Sequence, residues 1–137
     1  MMIPTVTHLH LLQHTPFFTD LNRPQLQWVI DHSYEWQAAA GVIVAVHTEG
    51  EPVDDAVWVL LDGGWNVEIG ERHFPSGHAD PGKWFSAADV SFDCRLVVTE
   101  TSYVMKIERK EMQVMINRGF AFDRHLDSGR CYYRDIA

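Results

Sequence analysis

The chain has 137 residues, 46% of them hydrophobic, 12% aromatic and 22% charged, which is enough apolar material for one domain with a real core and excludes a disordered segment. Its formal charge of −8 at pH 7, from 11 Lys and Arg against 19 Asp and Glu, sets up a surface field that repels phosphate backbones and anionic lipid, so neither nucleic acid nor a membrane is expected as a direct partner. No apolar run approaches the ~20 residues that span a bilayer and no secretory leader opens the chain, so a cytoplasmic protein is expected. Cys94 and Cys131 lack metal-ligand spacing and read as free thiols, Cys94 as a packed one.

Along the chain the pattern predicts one domain over residues 1–137, with a helical lead over 9–37, a β-rich body over 41–107 and a helical segment over 108–137. In the lead, Asn22 is a good N-cap, Pro24 is tolerated in a first turn, and Leu26, Val29 and Ile30 form an apolar stripe at helical spacing. After Gly41 the period shortens. Val42–Val46 and Val57–Leu61 are β-branched or apolar runs, Trp65–Ile69 alternates, and Gly70-Glu71-Arg72 reads as a tight hairpin followed by a loop from Phe74 to Gly82. Arg95–Thr99 and Tyr103–Ile107 are two more strands. Short, evenly punctuated strands predict a mainly β fold with flanking helices, a double-stranded β-helix or jelly roll, rather than alternating βα units. From Glu108 the helical period returns. Gly119 should break it, and Phe122, Leu126 and Tyr133 form an apolar stripe suited to a homodimer contact, with Gly129 counting against a continuous helix.

The order helix, β-roll, helix coincides with local wording that resembles the cyclic nucleotide-binding domain of the catabolite-activator type. Thr15-Pro16-Phe17-Phe18-Thr19-Asp20-Leu21 looks like that family's first helix and turn. Gly50-Glu51-Pro52-Val53-Asp54-Asp55-Ala56-Val57-Trp58-Val59-Leu60-Leu61-Asp62-Gly63 follows its Glu-Gly-Glu, aspartate, aromatic-Val-Leu and Gly sequence, and Ile107-Glu108-Arg109-Lys110-Glu111-Met112 resembles the start of its hinge helix. The resemblance spans roughly residues 9–122 and implies a β-roll of the kind shared with cupins.

It also implies where a ligand would sit. In nucleotide-binding members a Phe-Gly-Glu triplet follows a Pro-Gly turn, a short helix presents backbone N–H groups to the phosphate, the acid holds the ribose, and an arginine pairs with the phosphate. Here Pro81-Gly82-Lys83-Trp84-Phe85-Ser86-Ala87 occupies that cassette, so Ala87 stands in the place of the acid and Phe92 roughly in that of the arginine. Asp89 and Asp93 add negative charge nearby. Losing two charge-assisted contacts, each worth about 1.5–3 kcal/mol, weakens binding a hundredfold or more.

The candidate ligand-contacting residues are therefore Trp84, Phe85, Ser86, Ala87, Ala88 and Arg95, with Arg95 as the substitute cation. No catalytic residues and no cofactor are expected, and the ligand or protein partner is left open. Three readings follow. The first is a non-catalytic regulatory or interaction module that does not bind cAMP or cGMP in the usual mode, and for it no DNA-reading domain is expected after Gly119. The second is a small-ligand or nucleotide sensor with a rearranged pocket. The third is a cupin-like metal enzyme using His47, Glu49 and His78, against which Ala56 or its neighbours stand where the cupin pattern expects a ligand. The alternating His8, His10 and His14 read as a solvated face.

Overall fold

The computed structural model describes all 137 residues. Its strands are β1 (Met2–Thr5), β2 (Tyr34–Ala38), β3 (Ile43–His47), β4 (Val57–Asp62), β5 (Gly64–Ile69), β6 (Arg72–Gly77), β7 (Trp84–Phe85), β8 (Cys94–Val98) and β9 (Ser102–Ile107). The α-helices are α1 (Leu9–Gln13), α2 (Arg23–Asp31), α3 (Arg109–Asn117) and α4 (Asp123–Ile136), with single 3-10 turns at Pro16–Phe18, Pro81–Lys83 and Ala87–Asp89. No helix is long and apolar enough to cross a membrane.

Two antiparallel sheets, ordered β1-β2-β9-β4-β7 and β3-β8-β5-β6, face each other as a roll. The run Val57–Leu61 is buried throughout because the five-stranded sheet is covered on both faces. Val57, Val59, Met105 and Ile107 meet the helices in one hydrophobic cluster. Trp58, Leu60 and Val104 point the other way, into the roll, where Trp65, Val67, Leu96 and Val98 of the four-stranded sheet meet them. The period-2 alternation of side chains thus builds two cores on one sheet.

The helical lead ends earlier than the sequence pattern suggests. Asn22 and Gln25 form a capping box at the start of α2, and at its end His32 Nδ1 bonds the Trp28 carbonyl and Ser33 Oγ donates to the Val29 carbonyl at 2.6 Å. Those side-chain bonds close the last turn. Tyr34–Ala38 is then a strand, not helix, paired with both β1 and β9, as its aromatic content favours. The edge strand β1 was not legible from its short run. Residues 72–77, expected mostly as loop, form β6, an edge strand on which Pro75 costs no ladder bond.

After the roll, Gly119 ends the α3 region at φ +81°, as its sequence suggests. Gly129 does not interrupt α4, which runs unbroken for 14 residues. The stripe expected to serve a dimer is spent within the chain: Phe122, Leu126 and Tyr133 are buried against the domain itself, so a dimer through those side chains has no surface left.

Candidate functional site

The cassette begins at the turn Pro81–Lys83. Gly82 packs so tightly that a Cβ there would lie 2.2 Å from Ser76 Oγ and 2.8 Å from the Tyr132 ring, and its carbonyl accepts the Trp65 indole N–H at 2.8 Å. Only glycine fits at that approach. β7 follows, and its two aromatics diverge as strand neighbours must. Trp84 enters the helical core, its Nε1 donating to the His125 carbonyl at 2.7 Å, while Phe85 enters the roll.

α4 closes over this segment. A Cβ on Gly129 would lie 2.2 Å from Trp84 Nε1, so the glycine that weakens a helix on propensity grounds is what lets α4 seat on the indole. Tyr133, fully enclosed, donates its hydroxyl to the Trp84 carbonyl and meets Trp84 and Phe85 edge-on, with ring centroids 5.8 Å from each. Burial holds its phenol well above the ordinary range, so it stays a neutral donor. Tyr133 and Ile136 join Phe85, Ala87, Val90 and Cys94 in the interior cluster of the roll. The interior beside the cassette is filled by the protein's own side chains.

Ser86 has no exposure. Its Oγ accepts from the Ala88 N–H at 3.2 Å and from Arg109 Nη2 at 2.9 Å, and lies 3.3 Å from the Asp55 carbonyl, to which it donates. Arg109 Nε donates to that same carbonyl at 2.9 Å. The Asp89 carboxylate lies 3.3 Å from Arg109 Nη2 and 3.5 Å from Arg130 Nε. An anion does sit between guanidinium groups at the cassette, and it belongs to the chain.

Arg95 is not that cation. It lies on the outer face of β8, half exposed at 54%, with Nη2 at 2.5 Å from Glu68 Oε1, because the strand alternation that turns Cys94 and Leu96 inward must turn Arg95 outward. The structure brings Trp84, Phe85, Ser86, Ala87 and Ala88 together and replaces Arg95 with Arg109. Nothing local in the sequence pairs Arg109 with Ser86, 23 residues away. The one hint was the first-turn position of Arg109 in the helix expected to hinge on the roll.

The metal alternative is not assembled. His47 Nδ1 bonds the Phe92 carbonyl at 2.8 Å, the Glu49 N–H donates to Asp93 Oδ1 at 2.7 Å, and His78 stands 3.9 Å from Asp62. His47 pairs with Cys94, one residue beyond the Arg95–Glu68 pair, whereas His78 follows Gly77, which pairs with Gly64. Five strand residues separate those levels, about 16 Å at 3.3 Å per residue. No group of three or more His, Cys, Asp or Glu is placed to hold an ion. Cys94 is buried and its thiol is pushed up to about 11 by that burial, which removes the thiolate needed for redox chemistry.

The largest open groove beside the cassette, about 640 Å³, runs outside the roll between Ala88–Ser91 and Arg130, Cys131 and Arg134 of α4. A second cavity, of about 300 Å³, lies at the opposite end of α4, against Lys83 and His125.

No family model and no curated protein matches the chain. Solved structures do. The sensor domain of the transcriptional regulator DNR from Pseudomonas aeruginosa aligns at TM-score 0.62 and 20% identity over 95% of this chain and 97% of that one. A putative cyclic nucleotide-binding protein from Geobacter metallireducens aligns at 0.64 and 16%, over 93% and 95%. The regulatory subunit of a cAMP-independent protein kinase A from Trypanosoma brucei aligns at 0.66 and 14%, over 96% of this chain and 51% of that one. With its two-sheet roll and flanking helices, the chain has the fold of the cyclic nucleotide-binding domain.

Proposed function

We propose that this protein is a non-catalytic regulatory or interaction module that does not hold cAMP or cGMP in the usual mode. The observation that carries the reading is the filled interior: Phe85, Tyr133 and Ile136 pack beside Ala87 where a nucleotide would need space. Two features support it. Ala87 offers no carboxylate for a ribose, and Ser86 and Asp89 already occupy the guanidinium of Arg109. Among the structural neighbours, one is a sensor domain of a transcriptional regulator and one the regulatory subunit of a cAMP-independent kinase, which fits a module that reports through shape.

The output element is α4. It is bonded to the cassette at Trp84 through His125 and Tyr133, so anything that displaces Trp84–Ala88 must displace the last helix with it, and a small change inside becomes a change of surface. Calorimetric titration of the full chain with cAMP and with cGMP tests the reading. The expected result is no saturable heat up to about 1 mM, a binding free energy weaker than about −4 kcal/mol. Saturable micromolar binding of either nucleotide overturns it.

A second reading, a sensor with a rearranged site, rests on Arg109, which does bring a guanidinium to Ser86. It requires Asp89 to be displaced by the ligand. In the same titration, Asp89→Asn should then bind a nucleotide that the unaltered chain ignores.

A further inference from the structure

Outside the roll, the first turn of α4 meets the Pro81–Lys83 turn and the end of the Pro16–Phe18 turn. The cavity of about 300 Å³ at that junction is lined in part by Thr19, Lys83, Arg124, His125 and Ser128. Lys83 is only 4% exposed. Its ammonium makes one long bond, to the Asp80 carbonyl at 3.4 Å, and forms none of the ion pairs of the chain. The Asp80 carboxylate is engaged elsewhere, accepting the Gly77 N–H at 2.7 Å. A buried ammonium has three donors to satisfy and a large desolvation cost to offset. Here most of that is left unmet.

Arg124 adds positive potential at Lys83, which the Asp80 carboxylate opposes only in part. Arg124 stands in the first turn of α4, whose N-terminus has no side-chain cap and carries the positive end of the helix dipole. Asp20 accepts from Arg124 Nε at 2.6 Å, which leaves the outer guanidinium nitrogens free. His125 is 4% exposed, its Nε2 has no hydrogen-bond partner, and the only carboxylate near it is Asp20 at 3.8 Å. Burial, with Lys83 and Arg124 adding to it, pushes this imidazole down to about 4. The contrast with the cassette is direct: there Asp89 already neutralises Arg109 and Arg130, whereas here no side chain closes the charge on Lys83.

We propose that this cavity binds a phosphate-type oxyanion, with Lys83 and Arg124 as its counter-charges. The ligand class is a tetrahedral anion, either free phosphate or the end group of a phosphomonoester, because the unpaired Lys83 ammonium, the outer nitrogens of an Arg124 whose Nε is held by Asp20, and a helix N-terminus offer more donors than a single carboxylate can use. The site lies outside the roll and stands whether or not the roll takes a nucleotide. Its occupancy would tie α4 to the Pro81–Lys83 turn, on the same helix that the cassette holds at Tyr133.

The test is a titration of the full chain with inorganic phosphate, followed by the His125 ring resonances, with sodium chloride at matched ionic strength and acetate as controls. The expected result is saturable binding with Kd at or below about 1 mM, together with an upward shift of the His125 titration, since a bound anion favours the imidazolium. Lys83→Met should weaken binding about tenfold or more, and Lys83→Arg should retain it. If Lys83→Met fails to fold, Arg124→Gln at its 65% exposed side chain carries the same expectation. A response equalled by chloride or acetate, or one unchanged in these variants, overturns the proposal. A parallel titration with O-phosphoserine separates the sources: tighter monoester binding assigns a phosphorylated molecule, and tighter inorganic phosphate assigns the free ion, each in support of the site.

Discussion

The cassette and the outer face of the four-stranded sheet both carry arginine, carboxylate and aromatic side chains, yet they are built differently. At the cassette the polar groups other than the Lys83 ammonium are bonded from distant parts of the chain: Gly82 from Trp65, Trp84 from His125 and Tyr133, Ser86 from Arg109. These bonds are buried and the glycines beneath them allow no side chain. On the outer face Arg95, half exposed, pairs with Glu68, whose side chain is 13% exposed. Buried polar groups that are fully paired fix one geometry, whereas an exposed pair adds little. The segment that resembles a ligand site is therefore where this chain has invested its rigidity, with α4 as the part fastened to it.

The comparison breaks first at Gly129. In an exposed helix Gly→Ala stabilises by up to about 1 kcal/mol. Here the new Cβ would meet three atoms of the Trp84 indole at 2.2, 2.4 and 2.7 Å, and forced overpacking of that kind costs about 3 kcal/mol. Gly129→Ala should lower the urea midpoint accordingly and loosen α4, read as faster amide exchange over Asp123–Ile136. A midpoint that stays put or rises would mean that α4 is not seated on Trp84 as described.

A smaller effect sharpens the same contrast through pH. His125 lies on the cassette side and is buried neutral, held down to about 4 from 6.5 chiefly by burial and then by Lys83 and Arg124. The unfolded chain takes up this proton near 6.5 and the folded chain does not, so between 6.5 and about 4 the unfolded state binds more protons and stability falls as pH falls. The contribution is complete above 6.5. In a buffer without phosphate, the first pH unit below 6.5 should cost about 1 kcal/mol, and His125→Asn should flatten that segment of the curve. An unchanged slope in the variant would place His125 in contact with water.

How far the sequence carried differs between these regions for physical reasons. The roll was legible because its strands are short β-branched or apolar runs, one of them alternating over Trp65–Ile69, and its turns carry glycine, as at Asp62-Gly63-Gly64 and Gly70-Glu71. The cassette was legible as a segment, from Pro81 to Ala87. Its partners were not. Arg109 and Tyr133 reach it across 23 and 49 residues, and no local pattern encodes such a pairing. Gly129 misled for a related reason: intrinsic propensity counts a glycine against a helix, and only the indole beneath it shows why the helix needs one. Tyr34–Gln37 misled because an apolar stripe runs into it from α2, while the stop comes from side-chain bonds of His32 and Ser33 to that helix's own carbonyls. Arg95 is near the cassette in sequence, but the phase of β8, set by inward Cys94 and Leu96, points it away.

The smallest effect belongs to that residue and tests the comparison from its weak side. Arg95→Ala removes a guanidinium whose one carboxylate partner is Glu68 and whose side chain is 54% exposed, so solvent screening leaves the pair a value of about 0–1 kcal/mol. The variant should shift the urea midpoint barely at all and leave the phosphate titration at Lys83 untouched, since the two lie on separate parts of the molecule. A loss well above that range would show that Glu68, 13% exposed, depends on Arg95 as its counter-charge and that the pair is not screened as an exposed one is. The outcome bears on function because a roll that keeps its rigidity without Arg95 owes its closed interior to Phe85, Tyr133 and the seat of α4 alone.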